Sequence, residues 1–190
     1  MSLSDIPNAI SILRILIVYP VVVYLYQEKY NLALALFVFA SISDLVDGYL
    51  ARRYNWTSKL GGWLDPIADK LLINSAFLTL YIIDLVPAWL LILVLGRDLL
   101  IVGCVVYYYY KIEKVSARPT WISKVNTFVQ LVLVFLILSS LTLQSYNFNG
   151  LPQLLLDGGM WIVLGLTIIS GAGYINMGIK ALMIRKKDVL

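Results

Sequence analysis

The stretch Ser43–Lys70, SDLVDGYLARRYNWTSKLGGWLDPIADK, places four aspartates, Asp44, Asp47, Asp65 and Asp69, at the seam between two apolar runs. Read as two helices joined by a short polar turn, it puts Asp44, Asp47, Gly48 and Ala51 on about a third of the first helix's circumference, with Arg52 at the border. Asp65 and Asp69, one turn apart, are neighbours on the second helix. If the turn through Asn55 to Gly61 folds the second helix back on the first, the four carboxylates converge. Two bare unit charges about 4 Å apart repel by about 4 kcal/mol at an effective dielectric near 20, and a lone charge at membrane depth costs several more. Divalent cations relieve both penalties. All-oxygen ligands suit Mg2+, Mn2+ or Ca2+ better than zinc, and four carboxylates can share two ions. The competing reading, structural ion pairs with Arg52, Arg53 and Lys70, suits one aspartate better than four in this arrangement.

The chain around this stretch is that of a membrane protein. It has 190 residues, of which 61% are hydrophobic and 14% charged, and a mean hydropathy of +0.85. Apolar runs at roughly 8–27, 31–51, 62–84, 86–110, 120–144 and 154–180 each approach the length of about 20 residues that a spanning helix needs. The expected fold is therefore all-α, with six transmembrane helices in a single domain, 1–190. Basic residues fall on one side: Arg52, Arg53 and Lys59, then Lys111, Lys114 and Arg118, then Arg185, Lys186 and Lys187, against Lys29 alone on the other. The positive-inside rule makes both termini and the acidic stretch cytoplasmic. The first run begins near the initiator Met without an Arg-rich leader or small-residue cleavage site, so a bacterial plasma membrane fits best and a removable targeting peptide is not expected.

Cys104 is the only cysteine and histidine is absent. This removes disulfide frameworks, Cys/His zinc sites and Ser-His or Cys-His nucleophiles. The net charge of +4 suits an anionic leaflet; no aromatic-interleaved basic groove suggests nucleic acid.

Gly48 and Ala51 remove bulk from the acidic face, which lets a diphosphate approach the helix backbone. Arg52 and Lys59 can neutralise its oxygens, and Ser58 can hydrogen-bond them. The complete pattern, Asp44-x2-Asp47-Gly48-x2-Ala51-Arg52-x8-Gly61-x3-Asp65-x3-Asp69, resembles the signature of the CDP-alcohol phosphotransferase family. The resemblance implies a six-helix membrane fold, usually a homodimer, that transfers a phosphatidyl or similar group from a CDP-linked donor to an alcohol and releases CMP. It further implies that Asp44, Asp47, Asp65 and Asp69 hold two divalent ions, Mg2+ or Mn2+, with Asp69 also the general base. Ile6, Pro7, Asn8, Ala9, Gly48, Ala51, Arg52 and Ser58 would contact the CDP donor.

The acceptor must be read elsewhere. Gly96-Arg97-Asp98, and Arg118 to Asn126 with Lys124 between them, are polar clusters facing the same side. Arg97, Arg118, Lys124 and Asn126 are candidates to hold an anionic acceptor; the alternative is that Arg97 pairs with Asp98 and that Arg118 and Lys124 are membrane anchors. Segments up to about Phe135 resemble the eukaryotic-type cardiolipin synthase branch, which implies CDP-diacylglycerol as donor and phosphatidylglycerol as acceptor. The runner-up acceptor is glycerol 3-phosphate, the substrate of phosphatidylglycerophosphate synthases, in which the resemblance leads one to expect a second lysine in place of Asn126. A rival of another class is a divalent-cation transporter, which would need carboxylates near the bilayer midplane and broken helices.

Two further features are scaffold by expectation. Arg14 follows Asn8 and Ser11 at helical spacing, and an arginine this early in a spanning helix should face protein or snorkel to phosphate. Gly165, Gly171, Gly173 and Gly178 offer a small-residue face for close helix packing or dimer contact.

Overall fold

The computed structural model describes residues 6–54, 61–111 and 121–188, with side chains at 9–46, 48, 53–54, 67–104 and 121–176. Among the described residues there are six α-helices and no strand: α1 Ile6–Tyr26, α2 Tyr30–Tyr54, α3 Gly61–Ile82, α4 Ala88–Lys111, α5 Trp121–Ser145 and α6 Gln153–Asp188. Each expected apolar run contains one helix. The largest difference is at α6, which continues through the basic residues Arg185, Lys186 and Lys187; cations are favourable at a helix C-terminus.

Helices α1, α3 and α5 end in the same way, at Glu28, Asp84 and Asn147, each in the left-handed region with φ of 59°, 59° and 61°. The amide after each returns to a carbonyl five residues back: Lys29 to Tyr24 at 2.9 Å, Leu85 to Leu80 at 2.9 Å, and Phe148 to Leu143 at 3.0 Å. This Schellman geometry satisfies carbonyls that the helix end would otherwise leave unbonded. The connection from α5 to α6 is tightened by the Leu151 amide donating to Ser140 Oγ at 2.9 Å. A Cβ on Gly150 would stand 2.7 Å from that same Ser140 oxygen and closer still to Gln144 Nε2, so a larger residue there would have to displace these side chains.

Three helices are long and apolar enough to cross a bilayer among the described residues, over Ala9–Tyr26, Trp121–Ser145 and Gln153–Asn176, and α2 has a shorter apolar part, Tyr30–Val46. The expectation of six spans is therefore met directly by three. In α2 and α3 the aspartates interrupt the apolar run, and in α4 the Arg97-Asp98 step does so. Large apolar side chains such as Leu16, Tyr19, Ile92, Leu99, Leu154 and Trp161 are exposed, as befits an integral membrane protein whose outer surface meets lipid.

The chain divides into two compact units, 1–87 with 131–156, and 88–130 with 157–190. In the first, α1 packs along both α2 and α3, whereas α2 and α3 touch each other little among the described residues. Ala33, Phe37 and Ala40 of α2 and Ala68, Leu72 and Ala76 of α3 are buried at helical spacing, and their small side chains let backbones approach. Leu133, Val134 and Leu138 of α5 complete this core. Pro20 lies inside α1 and supplies no amide to the Leu16 carbonyl.

The second unit is built from α4, the first turns of α5 and most of α6. Leu90, Leu91 and Val94 of α4 and Met160 and Val163 of α6 are buried, and Trp89 stacks on Trp161 with centroids 5.6 Å apart. Among the described residues the expected packing role of the α6 glycines is not met: a Cβ at Gly165, Gly171 or Gly173 would meet nothing within 4 Å. These positions border open space, and Gly178 lies outside the described side chains.

Candidate functional site

In the first unit three helices contribute charged side chains to one point. Arg14 comes from α1, Asp44 from α2 and Asp69 from α3. Nη1 of Arg14 pairs with Asp44 Oδ1 and, at 2.7 Å, with Asp69 Oδ1. Arg14 is 1% exposed, while the side chains of Asp44 and Asp69 keep 29% and 39% of their exposure. The guanidinium is thus the inner member of the group, and the carboxylates have an open side. A guanidinium buried in a membrane helix needs charged partners, and among the described residues this one has Asp44 and Asp69.

The local sequence explains the placement. Arg14 stands two turns into α1, where its long side chain reaches sideways between the helices that α1 touches. Just ahead of Asp44 in α2, Ser41 and Ser43 return their hydroxyls to the Phe37 and Phe39 carbonyls at 2.8 and 2.7 Å. They satisfy themselves within the helix and leave the acidic turn to face other partners. Ala68 beside Asp69 is fully buried and brings the α3 backbone close.

Asp47 lies three residues after Asp44 on α2, and Asp65 four before Asp69 on α3, but both side chains are outside the described ones. So are those of Ile6, Pro7, Asn8, Ala51 and Arg52, while Ser58 and Arg118 lie outside the described residues altogether. Ala9 is exposed near the start of α1, and Gly48 is partly buried one turn beyond Asp44. Among the described residues no group of three or more acidic or cysteine side chains surrounds one point. The described pair still fits a hard divalent cation. It is oxygen-only, drawn from two helices, partly open, and already arranged around a cationic group.

The second unit holds a different cluster. Arg97 of α4 is buried and bonds Asp98 Oδ1 at 2.7 Å through Nη1. Its Nη2 donates to Ser170 Oγ at 3.0 Å, to the Ser123 carbonyl at 3.3 Å and to Ser123 Oγ, and its Nε to Ser170 Oγ at 3.3 Å. Asn126 is fully buried, its Oδ1 accepting from Thr167 Oγ1 at 3.2 Å. Arg97 thus bonds to the fold through three nitrogens, whereas Asn126 uses its Oδ1 and leaves its buried Nδ2 without a partner among the described residues; of the four expected acceptor residues only Lys124 is described as exposed.

Sequence reasoning left Arg14 without a named partner and passed over Ser123, Gln130, Thr167 and Ser170, all buried. A signal was available. Ser123, Asn126 and Gln130 recur at spacings of three and four, as do Thr167 and Ser170 at three, inside apolar helices where polar side chains must find partners.

The fold and this site define a class: an all-helical integral membrane protein in which carboxylates from two helices meet on an arginine of a third. The chain belongs to the CDP-alcohol phosphatidyltransferase family, whose sequence profile matches residues 4–169. It is similar to human cardiolipin synthase (CMP-forming), 34% identical over 95% of this chain and 64% of that protein. It is also similar to the CDP-diacylglycerol–glycerol-3-phosphate 3-phosphatidyltransferases of Rickettsia typhi, 36% identical over 90% of this chain and 96% of that one, and of Bacillus subtilis, 34% identical over 77% and 73%. The chain thus spans less than two thirds of the human protein's length but nearly all of the rickettsial one. Nothing in these relatives supports a transporter.

Proposed function

We propose that the protein is a metal-dependent phosphatidyltransferase that moves a phosphatidyl group from CDP-diacylglycerol to phosphatidylglycerol, forming cardiolipin and releasing CMP. The observation that carries this is the convergence of Asp44 and Asp69 from two helices, at positions of the family signature, in a chain that matches the family over most of its length. The membrane domain would comprise six spanning helices, act as a homodimer, and present its site to the cytoplasm of a bacterial cell.

Asp44, Asp47, Asp65 and Asp69 would hold two divalent ions, Mg2+ or Mn2+, which when bound supply positive charge to the diphosphate and to departing CMP. The chain's own groups do the rest. Ile6, Pro7, Asn8, Ala9, Gly48, Ala51, Arg52 and Ser58 bind and orient the CDP moiety. The acceptor hydroxyl forms a bond to the β-phosphorus of the donor as the bond from that phosphorus to the CMP oxygen breaks. Asp69 receives the hydroxyl proton late, when bonding to phosphorus has acidified it, since a carboxylate is a weak base. Arg118 and Lys124 attract the anionic acceptor, and Arg97, through its bonds to Ser123, fixes the helix start that carries Lys124.

The acceptor choice follows the resemblance to cardiolipin synthases and the internal cancellation of the Arg97 charge by Asp98. Less free positive charge suits a diester better than the nearly doubly charged monoester of glycerol 3-phosphate. The near-complete length match to the rickettsial enzymes favours the second reading, transfer to glycerol 3-phosphate. The deciding assay gives purified protein CDP-diacylglycerol with either acceptor and follows CMP. Release with phosphatidylglycerol is expected; release with glycerol 3-phosphate alone replaces the first reading by the second, and release with neither removes both.

A further inference from the structure

The buried arginine under the carboxylate pair has no assigned part in the reaction. Its geometry is unusual for a simple ion pair. One nitrogen, Nη1, touches Oδ1 of both Asp44 and Asp69, so a single cationic group joins carboxylates from two helices that touch each other little among the described residues. The printed contacts run through Oδ1 of each carboxylate, and both acidic side chains keep part of their surface open. Arg14 is buried while both carboxylates are partly exposed. An ion arriving from solvent therefore meets the acids first, with the guanidinium behind them.

From this arrangement we infer that Arg14 is the resident counter-ion of the metal site. It holds Asp44 and Asp69 together when no metal is bound, and its charge limits how tightly a divalent ion binds. It is a positioning residue, acting on substrate only through the carboxylates. The inference rests on the metal-binding role proposed above. Two carboxylates and one guanidinium leave the described group with one negative charge in excess of neutrality. That is enough to attract a divalent ion, and without Arg14 the attraction would be stronger and the metal-free state less stable. The guanidinium and the metal are thus partial substitutes, and binding to the folded state stabilises most the variant that lacks the internal cation.

The test is made on purified full-length protein in detergent, with thermal unfolding measured in EDTA and in saturating Mn2+, and Mn2+ affinity measured from the electron paramagnetic resonance of the free ion. Arg14→Gln should melt well below wild type in EDTA, and Mn2+ should close most of that gap. Its Mn2+ dissociation constant should fall about tenfold, as removal of a unit positive charge near a divalent ion requires. Arg14→Lys should follow wild type on both readouts. Adding Asp69→Asn to Arg14→Gln should recover stability in EDTA, because it removes the repulsion left behind. An equal loss of stability with and without Mn2+, unchanged or weaker Mn2+ binding in Arg14→Gln, failure of that variant to fold even with Mn2+, or an Arg14→Lys variant that behaves like it would each overturn the inference. The underlying metal assignment fails separately: wild type that binds no Mn2+, or Asp44→Asn that binds it as wild type does, removes that assignment whatever Arg14 does.

Discussion

Asp98→Asn offers a quantitative probe of the polar cluster in the second unit. The carboxylate lies 2.7 Å from Arg97 Nη1 with both side chains almost fully buried. Removing one charge of a buried pair leaves the other uncompensated, which costs 3–5 kcal/mol as a rule of thumb; the retained bonds to Ser123 and Ser170 place the loss here at about 3 kcal/mol. For a chain of this length that corresponds to a fall in Tm of roughly 6–12 °C. Arg97→Met alone should lose at least as much, since it takes from buried Asp98 the guanidinium that it pairs with. The double variant Arg97→Met, Asp98→Asn removes both charges, and its remaining loss is the partner taken from each serine hydroxyl, about 1 kcal/mol apiece. Thermal unfolding of the three variants in one detergent closes a double-mutant cycle with a coupling of roughly 4 kcal/mol. Additive losses would refute the interpretation of the pair as one electrostatic unit. Kinetics on the same proteins separate structure from substrate contact: if Arg97 only anchors Ser123, the folded double variant changes KM for the acceptor modestly, whereas loss of acceptor saturation would return Arg97 to direct binding.

Two other outcomes bear on the site and its frame. Asp65→Asn should insert into the membrane and stay folded but release no CMP from CDP-diacylglycerol, and EDTA should silence the wild type in a manner that Mg2+ or Mn2+ reverses; sustained turnover in either case would contradict the proposed metal role. Gly150→Ala should lower stability by about 1–2 kcal/mol through overlap with Ser140 and Gln144, whereas Gly165→Ala, which meets nothing, should not; equal melting of the two variants would show that the turn relaxes freely.

The helices were legible because a bilayer admits little else: apolar runs of about 20 residues with charged breaks can hardly be anything but helices. The carboxylate site was legible because four acids at one-turn spacings in so apolar a chain need a shared cause. What could not be read was which helix stands between the acids. The short turn after α2 suggested direct pairing of α2 with α3, yet among the described residues α1 packs against both and supplies the cation between them. Sequence adjacency favours neighbours along the chain, whereas Ala33 and Ala40 on α2 and Ala68 and Ala76 on α3 lie on the faces these helices bury.

Arg14 and Arg97 look alike in the sequence, each a lone arginine in an apolar helix, and the structure separates them by charge balance. Arg97 has one carboxylate, and its remaining donors go to neutral oxygens, with every partner buried. Among the described residues such a group is neutral and closed. Arg14 has two carboxylates, both open to solvent on one side, so its group carries excess negative charge where an ion can reach it. In a medium of low dielectric an unbalanced charge is costly unless something arrives to balance it. The imbalance at Arg14, and its absence at Arg97 among the described residues, is the physical reason for proposing one buried arginine as part of a site for cations and the other as part of the frame of its helices.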